Sequence, residues 1–323
     1  MTELSRIDRT ARQSAYRPGP HRVALFAAAV TLPLLVSGGQ VTSYRVGMAV
    51  PDWPTTFGIN MFLYEFWNST WGVFIEHRHR LLGSALGLAT IVLAVWFACS
   101  ERRRWMKAMG LIALLAVIGQ GLLGGNRVLL NSTFFAAVHA CTGQAVFALM
   151  VALCVLTDRD WAQARAADSD SEHLRRRALV TLALIYAQIV AGASLRHFGA
   201  GLIIHALLAV AVWGHALLLS WRVERRKLLV PELLPSSRAL ALLVTLQAIL
   251  GVVAWWMLLP FDGLARPVST AQALVRSGHV ANGALLLAAS LVLTLRSFRH
   301  LAPAVKPSNA HTTPASATLE MVA

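Results

Sequence analysis

The segment FIEHRHRLLGSALG, residues 74–87, places Glu76, His77, Arg78, His79 and Arg80 at the mouth of a long apolar run. Ionisable groups at such a position are costly unless they pair or serve a site. Three further histidines open apolar runs in the same way: His139, His205 and His279. Taken singly, a buried imidazole most simply hydrogen-bonds a neighbouring helix. Four at similar depth fit another chemistry better. Two imidazoles facing each other across a helix bundle supply both axial ligands of a low-spin haem iron. Neutral imidazole also binds zinc or copper, but no third ligand or carboxylate completes such a site within either half of the chain.

The elements that must position these residues follow from composition. The chain has 323 residues, of which 56% are hydrophobic and 14% charged, with a mean hydropathy of +0.58. A soluble domain carries about 25% charged residues. Apolar runs near the length of a bilayer span recur at 23–43, 80–99, 108–125, 134–156, 177–195, 201–221, 239–259 and 276–295. The fold class expected is an all-α membrane protein of eight transmembrane helices.

Basic residues give the orientation. With the N-terminus inside, 22 of the 29 Lys and Arg fall in inner segments, and Arg45, Arg78, Arg80, Arg127, Arg196, Arg266 and Arg276 in outer ones. Both termini are therefore expected in the cytoplasm. The formal charge of +14 is then explained by topology and anionic lipid headgroups, with no nucleic acid. Even-numbered spans run from outside to inside, so His79, His139, His205 and His279 should each lie within the first two turns of a helix, near the outer surface. His21, His173, His300 and His311 fall on inner segments or tails, and His215 near an inner helix end. His77 and His197 border outer loops.

The inner loop 157–176 reads as a solvated, mixed-charge linker. It divides a first four-helix half, 23–156, from a second, 177–297. Residues 1–22 read as a cytoplasmic tail rather than a signal peptide, and 298–323 as a disordered cytoplasmic tail. The outer loop 44–78 is long and aromatic, as expected of a segment that covers a site. The halves carry matching motifs in the same order: GGQVT (38–42) and GASLR (192–196), QGLLG (120–124) and QAILG (247–251), HACTG (139–143) and HVANG (279–283). These imply two pseudo-repeated four-helix bundles. Cys99, Cys141 and Cys154 fall within or at the inner ends of spans. No CxxC or CxxCH occurs, which removes a zinc ribbon and covalent c-type haem.

With PDWPTTFG (51–58), EHRHRLLG (76–83), VHACTG (138–143) and GASLRH (192–197), these motifs resemble the haem A synthase family over about residues 23–297. The resemblance implies oxidation of a methyl group of haem O to the formyl group of haem A, by successive hydroxylations, for cytochrome oxidase assembly. It assigns substrate haem to His79 and His139, and a haem b cofactor to His205 and His279. It also implies an electron acceptor and the prenyltransferase that makes haem O as partners. The chain departs from many members in having no cysteine in its outer loops, where Val50 stands just before the Pro-Asp-Trp-Pro run.

In this frame Glu76, one helical turn before His79 and on the same face, stabilises charge on the reacting methyl or takes up its proton. The alternative for Glu76 is a loop-edge ion pair with Arg45, Arg78 or Arg80, which would contribute little. Arg80 and Arg196, one per half, suit haem propionates, although both also suit interfacial anchoring. Asp52 and Trp53 are expected to shape the loop over the first site. Gln120 and Gln247 read as helix-to-helix hydrogen bonders. A different class, a non-enzymatic diheme electron carrier, predicts the same four ligands without needing Glu76. The haem O-making prenyltransferase itself is excluded by the absence of aspartate-rich inner loops.

Overall fold

The computed structural model describes residues 18–162, 166–168, 171–259 and 268–303. Arg6, Arg9, Arg12, Arg17, Arg165 and Arg266, and the C-terminal tail from 304, lie outside them. Among the described residues, eight helices are long and apolar enough to cross a membrane. They are α1 (Pro18–Ser43), α2 (Trp71–Ser100), α3 (Arg104–Leu129), α4 (Thr133–Thr157), α5 (Ser171–Phe198), α6 (Leu202–Glu224), α7 (Leu234–Leu258) and α8 (Thr270–His300). The protein is an all-α, multi-pass membrane protein.

Several helices outrun their expected spans. α2 begins at Trp71 rather than 80, α5 at Ser171 rather than 177, and α8 at Thr270 rather than 276. Hydropathy falls where polar side chains begin, but a helix backbone satisfies itself wherever its own hydrogen bonds continue. As a result His79 and His279 lie in the third turns of α2 and α8, not within the first two as expected; only His139 and His205 do. The outer loop shortens correspondingly, and the whole EHRHR cluster is helical. The linker is also more ordered than expected. After α4 comes a 3-10 turn, Arg159–Ala162, and then β1 (Ala166–Asp168). β1 pairs in parallel with β2 (Leu301–Pro303), Ala166 opposite Leu301, so the chain directly after α8 forms a short strand.

α1 to α4 pack in a ring, each on the next and α4 back on α1, and α5 to α8 do the same. The rings meet along α1, α4, α5 and α8. One core holds Leu93, Phe97, Met106, Met150 and Leu153, the other Ile185, Leu219, Leu240 and Leu293, and Phe147, Ala284 and Ala288 fill the seam. The outer helices expose Leu111, Ile112, Leu115 and Ile118 on α3 and Leu242, Ile249 and Val252 on α7. Apolar surface on this scale suits lipid, not water. At their N-termini α4 and α8 are capped alike: Ser132 accepts from the amide of Phe135 at 3.3 Å, and Ser269 from that of Gln272 at 3.1 Å.

Candidate functional site: two facing histidine pairs

The four singled-out histidines meet in pairs. His79 on α2 faces His139 on α4 with ring centroids 6.3 Å apart and planes at 80°. His205 on α6 faces His279 on α8 at 6.4 Å and 73°. Each ring lies on a glycine of the preceding odd helix. A Cβ built on Gly38, Gly124, Gly192 or Gly251 would meet the Cε1 of His79, His139, His205 or His279 at 3.0, 3.1, 2.9 or 3.2 Å respectively. These glycines let each imidazole lie against the neighbouring backbone. The motifs matched between the halves thus fall on matching contacts.

Metal–imidazole bonds of about 2 Å on opposite sides of one metal would separate two ring centroids by about 6 Å. Both pairs match that span. Among the described residues, His205 Nδ1 and His279 Nδ1 are buried without a hydrogen-bond partner. Among the described residues no group of three or more His, Cys, Asp or Glu could hold a metal ion. The donor set therefore suits a metal that brings its own equatorial ligands, as haem iron does.

Glu76 is not the loop-edge group of the alternative reading. Its residue is 1% exposed, and its carboxylate pairs with Arg80 at 3.2 Å and with Arg127 of α3 at 3.6 Å, while accepting from the amide of Val50 at 3.0 Å. Arg80 in turn donates to the carbonyls of Val50 at 2.8 Å, Asp52 at 2.7 Å and Thr55 at 2.9 Å. Its terminal nitrogens thus clamp the outer loop, where a haem carboxylate was expected. Trp53 lies against α3, so close that a Cβ on Gly125 would stand 2.5 Å from its ring.

The loop is held at further points. Asp52 accepts from Thr55 at 2.5 Å, from the Phe57 amide at 2.8 Å and from the Gly58 amide at 2.9 Å. This satisfies a turn in which Phe57 and Gly58 have φ of 52° and 75°. Burial alone would push the Asp52 carboxyl up, but the hydrogen bonds from Gly58, Thr55 and Phe57 outweigh it and hold the group at about 2. His77, fully buried, shares a 3.1 Å hydrogen bond with Thr56 and packs on Phe66 and Tyr64 at 4.7 and 5.4 Å. It is a loop anchor rather than part of a pair.

Arg196 reaches across the seam, its Nη2 donating to the Gly39 carbonyl and the Ser43 hydroxyl of α1, both at 2.8 Å. Sequence reasoning missed Arg127, whose partner lies on another helix; a lone arginine ending an apolar run was its only signal. It also missed Gln188. That residue donates to the His205 carbonyl at 3.0 Å and lies 3.4 Å from its ring Nε2. A signal was present, because Gln188 precedes Gly192 by the spacing that relates Gln120 to Gly124 and Gln247 to Gly251. Cys99, Cys141 and Cys154 are free thiols.

Eight membrane-spanning helices that bring histidines together in two facing pairs define a class: a multi-pass integral membrane protein with one histidine pair in each half. The comparisons narrow it. Residues 21–207 match the cytochrome oxidase assembly protein family (COX15-CtaA), and the chain belongs to that family. It is similar to proteins named Heme A synthase. That of Alkalihalophilus pseudofirmus is 28% identical over 169 residues, 51% of this chain and 56% of the relative. That of Halalkalibacterium halodurans is 29% identical over 167 residues, 51% and 55%, and that of an Exiguobacterium species 27% identical over 186 residues, 55% and 59%. The matches thus span little more than half the length of these curated relatives. Glu76, Arg80, Arg127, both first-half histidines, Arg196 and His205 fall inside the family match, and His279 lies beyond it.

Proposed function

We propose that the protein is a haem A synthase, an oxidoreductase that converts a methyl group of haem O to the formyl group of haem A by successive hydroxylations. The observation that carries this reading is the two facing histidine pairs at 6.3 and 6.4 Å, with the buried carboxylate of Glu76 one turn from His79 of the first. His79 and His139 hold the substrate haem O, and His205 and His279 hold haem b. When bound, haem b supplies reversible one-electron transfer.

The chain's own residues do the rest. The loop latched by Arg80 and Glu76 covers the first pair and limits water there. Glu76, held by Arg80 and Arg127, presents negative charge one turn from His79, where it stabilises positive charge on the reacting methyl or receives its proton. Arg196 offers a guanidinium to a propionate of the cofactor. A diheme carrier would need no such carboxylate, so Glu76 favours the enzyme.

In this reading the protein lies in the cell membrane with both termini in the cytoplasm. It takes haem O from the prenyltransferase that makes it and passes electrons to a further acceptor. The pigment of the purified protein tests the function. Haem b accompanied by haem O or haem A is expected; haem b alone, together with no haem A on co-expression with a haem O source, overturns it. For topology, reporters fused after residue 130 should be exported and those after 165 retained.

A further inference from the structure

The four paired histidines are not held alike. His79 lies 3.1 Å through Nδ1 from the carbonyl oxygen of Leu34 on α1. A carbonyl only accepts, so this contact requires a proton on Nδ1 and leaves the Nε2 lone pair for a ligand. The other three are held by glutamine amides, each one turn before the glycine under the ring. Gln188 reaches His205 as described. Gln247 donates to the His279 carbonyl at 3.1 Å and lies 3.3 Å from its Nε2. Gln120, with its amide nitrogen turned toward the ring, reaches the His139 carbonyl at 3.2 Å and its Nδ1 at 3.0 Å.

Two of these amides are themselves oriented. Asn282 donates to the Gln247 oxygen at 2.7 Å and to the Leu243 carbonyl at 2.9 Å. Thr142, at the matching position of α4, hydrogen-bonds Gln120. Gln188 has no such support, and its oxygen is buried without a partner. Glutamines that only joined helices would not need to touch a ring nitrogen and the same histidine's carbonyl in all three places.

We propose that Gln120, Gln188 and Gln247 are positioning residues that orient the imidazoles of His139, His205 and His279 toward a bound haem. His79 is set instead by the main chain. An amide donates or accepts according to its rotation, whereas the Leu34 carbonyl can only accept. The tautomer of His79 is therefore dictated by the fold, and those of the other three by side chains that can be exchanged. Outer-shell partners of this kind set ligand orientation and basicity, and their loss typically weakens metal retention about 10- to 100-fold.

The inference rests on haem ligation by the paired histidines, and the experiment separates the two. Full-length protein is purified as the wild type, Gln247→Leu, Gln247→Glu and Gln188→Leu. Haem content, low-spin electron paramagnetic resonance, midpoint potential and thermal unfolding are measured on each. A wild type without haem overturns the ligation reading itself. If the wild type carries haem, both leucine variants are expected to shift the low-spin g values and midpoint potential of the second-half haem and to lose haem about tenfold faster or more on dilution. Gln247→Glu, whose carboxylate accepts from a ring N–H but cannot donate to the His279 carbonyl, should move the potential to more negative values. Leucine variants that lower the unfolding temperature but leave g values, potential and haem loss unchanged would make these glutamines helix-to-helix bonds only. That result would overturn the inference while leaving the histidine pairs intact.

Discussion

The two histidine pairs share a spacing and differ in what surrounds them. Both have centroids about 6 Å apart, and all four rings rest on glycines. The first half carries a long loop between α1 and α2 that is clamped by Arg80, pinned by Trp53 and joined to a buried Glu76–Arg80–Arg127 cluster. In the second half α5 and α6 are joined by a short turn in which Gly199 and Gly201 have φ of 70° and 90°. Under the proposed function, the difference separates holding a haem from acting on one. The glycine-backed pairs are common to both halves, and among the described residues the long loop and the buried Glu76 cluster stand in the first.

The largest test of this contrast removes ligands one pair at a time. His205→Ala or His279→Ala should abolish most of the low-spin haem b signal. His79→Ala or His139→Ala should keep that signal and stop haem A formation, and His215→Ala should do neither. Spectra of the purified variants decide, and equal loss of haem b from both pairs would break the division of labour.

Next comes Glu76. Read from sequence as a loop-edge group, it should be replaceable without harm to the fold. Its burial between two arginines changes that expectation. Glu76→Ala leaves Arg127 without its carboxylate and Arg80 with only its carbonyl partners, and should cost about 3–5 kcal/mol, the usual result of breaking a buried pair, seen as a lower unfolding temperature. Glu76→Gln keeps the shape and the hydrogen bond from Val50, so it isolates the charge. Loss of that one preorganised group should slow conversion by about 10²–10³ with haem b unchanged, and full haem A yield from this variant would make Glu76 an anchor.

A smaller effect is expected at the glycines. Gly192→Ala puts a methyl 2.9 Å from His205 Cε1, tighter than the 3.2 Å that Gly251→Ala gives at His279. Overpacking of this kind typically costs about 1–3 kcal/mol. Haem titration should therefore show a larger loss of affinity for Gly192→Ala. The reverse order would mean that the rings move freely.

The smallest effect concerns the loop and pH. Asp52 has its pKa lowered from 3.8 to about 2, so the unfolded loop binds the proton more readily than the folded one. The stabilisation is complete above about pH 4. It is lost as pH falls toward 2. Hydrogen exchange of the amides of residues 57 and 58 should accelerate over that interval, and Asp52→Asn should exchange faster at neutral pH and lose the pH response.

The eight spans and the four histidines were legible because each is written locally, in hydropathy and in residue type beside it. Helix starts were not. Trp71–Arg80 holds too many polar residues to register as a span, yet it is helical because Glu76 and Arg80 find partners on the loop and on α3. The pairing of Glu76 with Arg127 joins residues far apart in sequence, and nothing in either neighbourhood announces the other. Gln188 was legible in principle, through its spacing to Gly192, once that spacing had been noticed at Gln120 and Gln247.

Arg80 grips the outer loop almost entirely through peptide oxygens, at Val50, Asp52 and Thr55. A clamp that reads the main chain is blind to the side chains it passes. The Arg80 contacts are therefore uncoupled from the side chains at Val50 and Thr55, although the Thr55 hydroxyl holds Asp52 separately. Variation in the loop can then change the surface it presents while its attachment to α2 persists.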